Sequence, residues 1–313
     1  MVSNSIEISA IVPVSERQDD VRQLYADYKA ALDSLDRSYE VIFVLDGAFP
    51  RVYEELTSLR GEGEAVKVMQ LTQSFGEAAA FTVGFERSSG EIIMTLPSYY
   101  QAEPSEIPRL ISALDQYDMA IGRRWPRTES GLKKLQTNVF RGIVRFVADS
   151  SFQDLGCGMR AFKRQVADEI PLYGDQHRFL PVLAEKRGFR VIEIDVAQST
   201  RDSAPTVYRP GIYLRRILDI LTVFFLVKFT KKPLRFFGLI GSATFAFGGV
   251  VLFVLIFQRL VLGIGLADRP ALLLSSLFVV LGVQLFALGL IGELIIFTHA
   301  REIKEYTIDE ILE

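Results

Sequence analysis

The sequence predicts an α/β domain with a mostly parallel sheet, then an interfacial amphipathic helix, then a C-terminal transmembrane hairpin. Three observations carry this. Strand-like runs alternate with helix-length patterns from Ile8 to Val196, the signature of strands joined by crossover helices. Two uncharged runs of about 22 residues follow, each long enough for a helix to cross a hydrocarbon core of about 30 Å. Charge divides accordingly: Met1–Arg235 holds 31 basic and 31 acidic residues, while Phe236–Glu313 holds only 4 and 7.

The strand patterns are Ile8–Val12, Glu40–Leu45, Val66–Leu71, Glu91–Leu96, Met119–Gly122 and Arg190–Val196, apolar runs bounded by turn-forming residues. Helical patterns occupy Asp20–Leu35, Arg51–Arg60, Glu77–Ser88 and Ser105–Leu114. Ligands on parallel sheets bind beyond the carboxyl ends of the strands. VLDGAFP after the second strand and LPSYYQ after the fourth are therefore predicted at one pocket edge. Residues 1–210 form this domain.

Residues 211–235 lie within GIYLRRILDILTVFFLVKFTKKPLR, where Arg215, Arg216, Asp219 and Lys228 leave one polar side on an apolar helix. Such a helix suits the headgroup layer. NVFRGIVRFVADSSF, from Asn138, has the same character and equally suits packing in a core. Residues 236–313 supply the hairpin, with spans at about 236–257 and 271–292 and a short cytoplasmic tail. Lys231, Lys232 and Arg235 precede the first span and Arg301 and Lys304 follow the second, so the positive-inside rule places both ends in the cytoplasm. Glu293 at the end of the second span is expected at the interface.

Composition excludes several functions. A net charge of −3 gives no cation excess for nucleic acid. One cysteine, Cys157, forms no internal disulfide, and with two histidines it builds no Cys/His metal cluster. MVSNSIEISAIVPVSE lacks the basic region and long apolar core of a signal peptide, so the chain is expected to begin in the cytosol. Two spans nearly free of polar residues offer no transport path unless many copies assemble.

The order of segments resembles the family 2 glycosyltransferases of the polyprenyl-phosphate type: the dolichol-phosphate mannose synthases and, more closely, bacterial undecaprenyl-phosphate glucosyltransferases with two C-terminal transmembrane helices. The resemblance runs through IVPVSE, VLDGA, SFGEAAAFTVGFERSSGEII, QAEPSEIPRL, DLGCGMRAFKRQV, HRFLPVLAEKRGFRVIEIDV, KKPLRFFGLIG and LGVQLFALGLIGELI. It implies a GT-A fold in which a nucleotide sugar binds at the sheet edge and its sugar passes, with inversion, to polyprenyl phosphate. It also implies a multi-pass protein of the inner (cytoplasmic) membrane, oligomeric with itself, with its catalytic domain and both termini in the cytoplasm.

By that resemblance the nucleotide sugar meets Pro13, Val14, Glu16, Asp46, Gly76, Ser98, Tyr99 and Gln101. Asp154, Arg160 and Arg201 take catalytic roles, and Arg201 and Tyr208 hold the acceptor phosphate. Two plainer readings stand beside these: Asp46 initiates a turn with Gly47, and Asp154 pairs with Arg160 as a structural salt bridge.

The chain departs from the family at charged positions. Leu45 replaces the first acid of the Asp-Asp-Gly turn. Relatives read Asp-x-Asp-Leu-Gln where this chain has Pro97-Ser98-Tyr99-Tyr100-Gln101. Mg2+ or Mn2+ is expected from the family, but the oxygen pair such cations prefer is missing, so no metal ligand is assigned. Gln198, Ser199, Ala204, Thr206 and Val207 replace other family positions, and a lysine expected for the acceptor phosphate is lost. Arg123, Arg124, Arg127, Lys133 and Lys134 offer cations that would offset diphosphate charge or attract anionic headgroups. Two functions follow: a glycosyltransferase with altered or metal-independent donor binding, or an inactive scaffold that keeps fold and anchor.

Overall fold

Ile8–Val14 (β1) is a run of seven residues with every side chain buried, as a strand must be when helices cover both faces of its sheet. In the computed structural model, which describes residues 6–15, 17–126, 152–170, 174–202, 233–263, 265 and 269–299, β1 lies near the centre of a seven-stranded sheet. Tyr39–Leu45 (β2) pairs parallel on one side, and Val66–Gln70 (β3) continues the sheet beyond it. Ile92–Thr95 (β4) pairs parallel on the other side. Met119–Arg124 (β5), Arg160–Lys163 (β6) and Val191–Val196 (β7) complete the order β3-β2-β1-β4-β6-β5-β7. Only β6 runs against its neighbours, so the carboxyl ends of the other six strands share one edge.

Alternation along the strands sends side chains to two cores. Ile8, Ala10, Val12 and Val14 join Val41, Phe43 and Leu45 on one face. There they meet Val21–Asp33 (α1), Pro50–Gly61 (α2) and Ile107–Ser112 (α4). Helix α1 buries Val21, Leu24, Tyr25, Tyr28, Ala31 and Leu32, the three- and four-residue spacing of one helical stripe. Its start is fixed by the Asp20 carboxylate, which accepts from the Gln23 backbone N–H at 2.9 Å. Ile11, Ile42, Val44 and Ile93 point to the opposite face. They pack on Glu77–Arg87 (α3), Arg164–Glu169 (α5) and Leu180–Arg187 (α6) through Phe81, Phe85, Val166, Leu180 and Ala184.

All six strands expected from the pattern are present, with ends shifted by a few residues. Strand β6 and helices α5 and α6 were not expected. Arg-Ala-Phe-Lys has only two apolar side chains, too few for a period to register. It becomes a strand because β4 and β5 flank it. The helix expected from Asn138 and the one over residues 211–235 lie outside the described residues, apart from Phe152 and Pro233–Arg235.

The chain divides into two units, Met1–Val223 and Phe224–Glu313. The second holds Pro233–Leu262 (α7) and Pro270–His299 (α8), each of 30 residues. Both contain segments long and apolar enough to cross a membrane, with mean hydropathy 2.3 and 2.4. They pack backbone against backbone. A Cβ built on Gly282 would lie 2.5 Å from the Phe245 nitrogen and 2.7 Å from the Gly241 oxygen, while one on Gly249 would meet nothing within 4 Å. Glu293 accepts a long hydrogen bond, 3.4 Å, from the Leu234 N–H in the first turn of α7. A carboxylate there complements the helix dipole.

Candidate active site

The shared strand edge carries the loops that follow β1, β2, β4 and β7. Pro13 and Val14 are buried within β1, opposite Val44 and Leu45 near its carboxyl end. At the end of β2, the Asp46 N–H donates to the Val14 carbonyl at 2.9 Å. Its carboxylate accepts from Ser74 Oγ at 2.7 Å, the Phe75 N–H at 2.7 Å and the Gly76 N–H at 3.0 Å. Gly76, with φ +97°, turns the chain into α3, a conformation available to glycine without a Cβ penalty. Asp46 thus fastens the start of α3 to the end of β2.

Residues 97–101 are held from every side. The Tyr28 hydroxyl donates to the Pro97 carbonyl at 2.9 Å. Ser98 Oγ donates to the Arg17 carbonyl at 2.9 Å, and the Asp19 N–H donates to the Ser98 carbonyl at 3.0 Å. The Tyr100 N–H donates to Asp19 Oδ2 at 2.9 Å. Gln101 Oε1 accepts from the Gly158 N–H at 2.8 Å, while its Nε2 donates to the Tyr99 hydroxyl. The Gln101 carbonyl accepts from the Ser199 N–H at 3.0 Å, tying this loop to the one after β7.

Each tyrosine of the loop carries an arginine. The Arg17 guanidinium carbon lies 3.8 Å from the centre of the Tyr99 ring, and that of Arg201 lies 3.6 Å from the Tyr100 ring. These are cation–π distances. Arg201 also donates to Asp27 Oδ2 at 2.8 Å, and the Tyr100 hydroxyl donates to the same oxygen at 2.6 Å. Burial and the Asp27 carboxylate push the Tyr100 phenol well above its ordinary pKa. Burial raises the Asp27 carboxyl, but the bonds from Tyr100 and Arg201 outweigh it and leave it below the usual value. Tyr99 is raised by burial and by nearby Glu77, against the opposing pull of Arg17. Both phenols are therefore protonated at neutral pH.

The sequence offered a pairing of Asp154 with Arg160. The structure instead joins Asp154 to Arg124, whose Nε and Nη2 reach its two oxygens at 2.8 and 2.9 Å. Burial lowers the Arg124 pKa, but this forked bond outweighs it and holds the guanidinium above its ordinary range. Arg160 donates to the carbonyls of Cys157 at 3.0 Å, His177 at 2.5 Å and Leu155 at 2.8 Å. Burial pushes its pKa down to about 10. It closes the 155–157 loop onto the segment around His177. Arg123 is engaged by Asp195 at 2.7 Å.

Four further groups belong to this neighbourhood and were not singled out from sequence. Arg17 Nη2 lies 3.2 Å from Asp202 Oδ1, and Arg124 Nη1 lies 3.9 Å from Asp202 Oδ2. Arg17, Asp202, Arg124 and Asp154 make a chain of alternating charge. Glu77 Oε2 lies 3.2 Å from His177 Nε2. Burial raises Glu77, but the His177 contact and nearby arginines outweigh it and keep the carboxyl below its usual value. Nothing in the spacing of Arg17 or Asp202 marks them, since each sits in a loop and meets its partner only across the sheet edge. Glu16, Arg127, Lys133, Lys134 and Tyr208 lie outside the described residues.

The sequence pattern of the family described as Glycosyl transferase family 2 matches residues 9–171, just over half of the chain. The protein belongs to this family. The transferase is 30% identical over 310 residues to the undecaprenyl-phosphate 4-deoxy-4-formamido-L-arabinose transferase of Aeromonas hydrophila subsp. hydrophila, covering 97% of this chain and 94% of that protein. It is 27% identical over 304 residues to the dodecaprenyl-phosphate galacturonate synthase of Rhizobium johnstonii, covering 95% and 90%. A crystal structure of glucosyl-3-phosphoglycerate synthase from Mycobacterium tuberculosis, in complex with Mn2+, uridine diphosphate and phosphoglyceric acid, matches with a TM-score of 0.52 at 15% identity. That match covers 70% of this chain and 78% of that one. Likeness at this identity establishes the GT-A fold.

The transferase's own residues do not fit a divalent cation at the 97–101 loop. Pro97 and Ser98 bring no anionic side chain, and Tyr99 and Tyr100 are neutral phenols. A guanidinium already rests on each ring. Hard cations seek carboxylate, carbonyl and water oxygens. Among the described residues no group of three or more His, Cys, Asp or Glu side chains is arranged to hold a metal.

Proposed function

We propose that this transferase moves a sugar from a nucleotide-sugar donor to polyprenyl phosphate at the cytoplasmic face of the inner membrane, with donor binding that needs no divalent metal. The observation that carries the acceptor is the extent of the likeness. Relatives named for transfer to undecaprenyl and dodecaprenyl phosphate match 95% or more of the chain, the two apolar helices included.

A phosphate oxygen of the acceptor attacks the anomeric carbon, the bond from that carbon to the diphosphate breaks, and the nucleoside diphosphate leaves from the opposite face. The acceptor phosphate is already anionic near neutral pH, so the step needs alignment and charge neutralisation more than a strong base. Pro13, Val14, Asp46, Gly76, Ser98, Tyr99 and Gln101 frame the donor subsite, to which the family resemblance also assigns Glu16. Asp46 acts through the loop it fastens. Asp154 and Arg160 set the far wall, Asp154 through Arg124 and Arg160 through the carbonyls it binds. Arg201, with nearly half of its side chain open to solvent, reaches the acceptor phosphate together with Tyr208.

Basic residues flanking the hairpin support a topology with the catalytic domain and both termini in the cytoplasm. Gly249, which has open space around it, offers a small-residue contact for a second copy. Gly238, Gly241 and Gly248 face the protein's own second helix or first turn. The test is transfer of labelled sugar, from a panel of UDP-, GDP- and CDP-sugars, to undecaprenyl phosphate in vesicles carrying the protein. Label in the lipid phase that depends on added undecaprenyl phosphate supports the reading. Its absence with every donor overturns it.

A further inference from the structure

We infer that Arg17 is the cation that meets the donor diphosphate, in the place where a divalent metal would otherwise stand; this rests on the transferase reading above. Arg17 lies in the loop after β1, at the carboxyl edge of the sheet where ligands of parallel sheets bind. Among the contacts that orient its guanidinium are the face of Tyr99 at 3.8 Å and the Asp202 carboxylate at 3.2 Å. Ser98, from the same loop as Tyr99, binds the Arg17 backbone carbonyl at 2.9 Å. The loop that lacks metal ligands is thus the loop that holds the arginine.

The charge arithmetic agrees. Two carboxylates with a divalent cation sum to zero, and so do Arg17, Asp202, Arg124 and Asp154. The difference lies in which end is accessible. The side chains of Asp202, Arg124 and Asp154 are 3%, 8% and 2% exposed, whereas that of Arg17 is 27% exposed. Asp202, Arg124 and Asp154 are buried, and the most exposed of the four is a cation. A guanidinium presents a planar fork that matches two phosphate oxygens, and Tyr99 holds that plane without bringing a negative charge against the phosphates.

The experiment measures binding of UDP, GDP, CDP and dTDP to the full chain in lipid nanodiscs, in EDTA and in Mn2+. For the nucleotide that binds, affinities within about twofold in the two conditions are expected. Arg17→Ala should then weaken the nucleoside diphosphate by about tenfold to a hundredfold, the range of a lost charge-assisted bond, and the matching monophosphate by less. Arg17→Lys, which keeps the charge without the fork, should fall between. Affinity that collapses in EDTA overturns the assignment to Arg17 and with it the metal-free donor binding, and leaves sugar transfer to polyprenyl phosphate standing. The wild-type protein alone decides that arm, whatever the stability of the variants. An Arg17→Ala protein with unchanged melting temperature and unchanged diphosphate affinity also overturns it. Binding of none of the four nucleotides in either condition overturns the transferase reading as well.

Discussion

Arg17 lies over Tyr99, its guanidinium carbon 3.8 Å from the ring centre. The ring stands at the position where the family resemblance implies the second acid of a metal-binding motif, so on the inference above an aromatic platform for an internal cation replaces a ligand for an external one. A cation over an aromatic face contributes about 0.5–2 kcal/mol. Tyr99→Leu is therefore expected to raise the donor KM by about two- to thirtyfold, and Tyr99→Phe, which keeps the ring, by much less. Steady-state kinetics with the donor varied at saturating lipid acceptor check this.

Asp46 holds three donors of the 74–76 segment at once. Replacing it by alanine leaves two backbone N–H groups without their acceptor, at a cost of about 1–3 kcal/mol. Asp46→Ala should lower the melting temperature and raise the donor KM together. Asp46→Asn, which keeps one acceptor oxygen, should be milder in both.

The Arg124–Asp154 pair is buried and forked. Removing one partner takes from the other its forked bond, which costs about 3–5 kcal/mol in buried sites. Arg124→Ala and Asp154→Ala should each destabilise strongly. The double variant should lose less than the sum of the two, because the forked bond is then lost only once. Thermal melts of the four proteins form the cycle.

Acid stability depends on Asp118, at the start of β5. Burial raises its carboxyl, but hydrogen bonds from Arg190 and Lys163 outweigh that and bring the pKa down to about 2. A carboxyl whose folded pKa lies below its unfolded value of about 3.9 stabilises the fold above that value, and the contribution fades as pH falls toward the folded pKa. The melting-temperature advantage of wild type over Asp118→Asn should be constant above about pH 5 and shrink between about pH 4 and 2.

In the hairpin, Gly282→Val places methyl groups where the backbone of α7 already stands. It should force the helices apart and lower the yield of folded protein in membranes. Gly249→Val, in open space, should leave the fold intact. Thermal melts in detergent compare the two.

Strands buried on both faces and spans without charge are written as long runs of one character, and those elements were legible in sequence. Strand β6 was not, because Ala161 and Phe162 are its only apolar residues and its neighbours supply the reason it is extended. The loss of acids at 97–101 was equally plain, since it is a local fact about five residues. The cation that lies over Tyr99 was not. Arg17 and Asp202 are separated by 185 positions and meet only once the sheet brings the loops after β1 and β7 to one edge. The partner of Asp154 was misread for the same reason: Arg160 is near in sequence, but Arg160 turns to backbone carbonyls and Arg124 comes from another strand.

The central claim is sugar transfer to a lipid phosphate in which an arginine stands in for a metal. Its most direct test is the initial rate of labelled-sugar transfer to undecaprenyl phosphate by the full chain in nanodiscs, measured once in EDTA and once in Mn2+ with the same donor. The account predicts equal rates in the two conditions, both falling sharply in Arg17→Ala. Transfer that occurs only with Mn2+ present would contradict it.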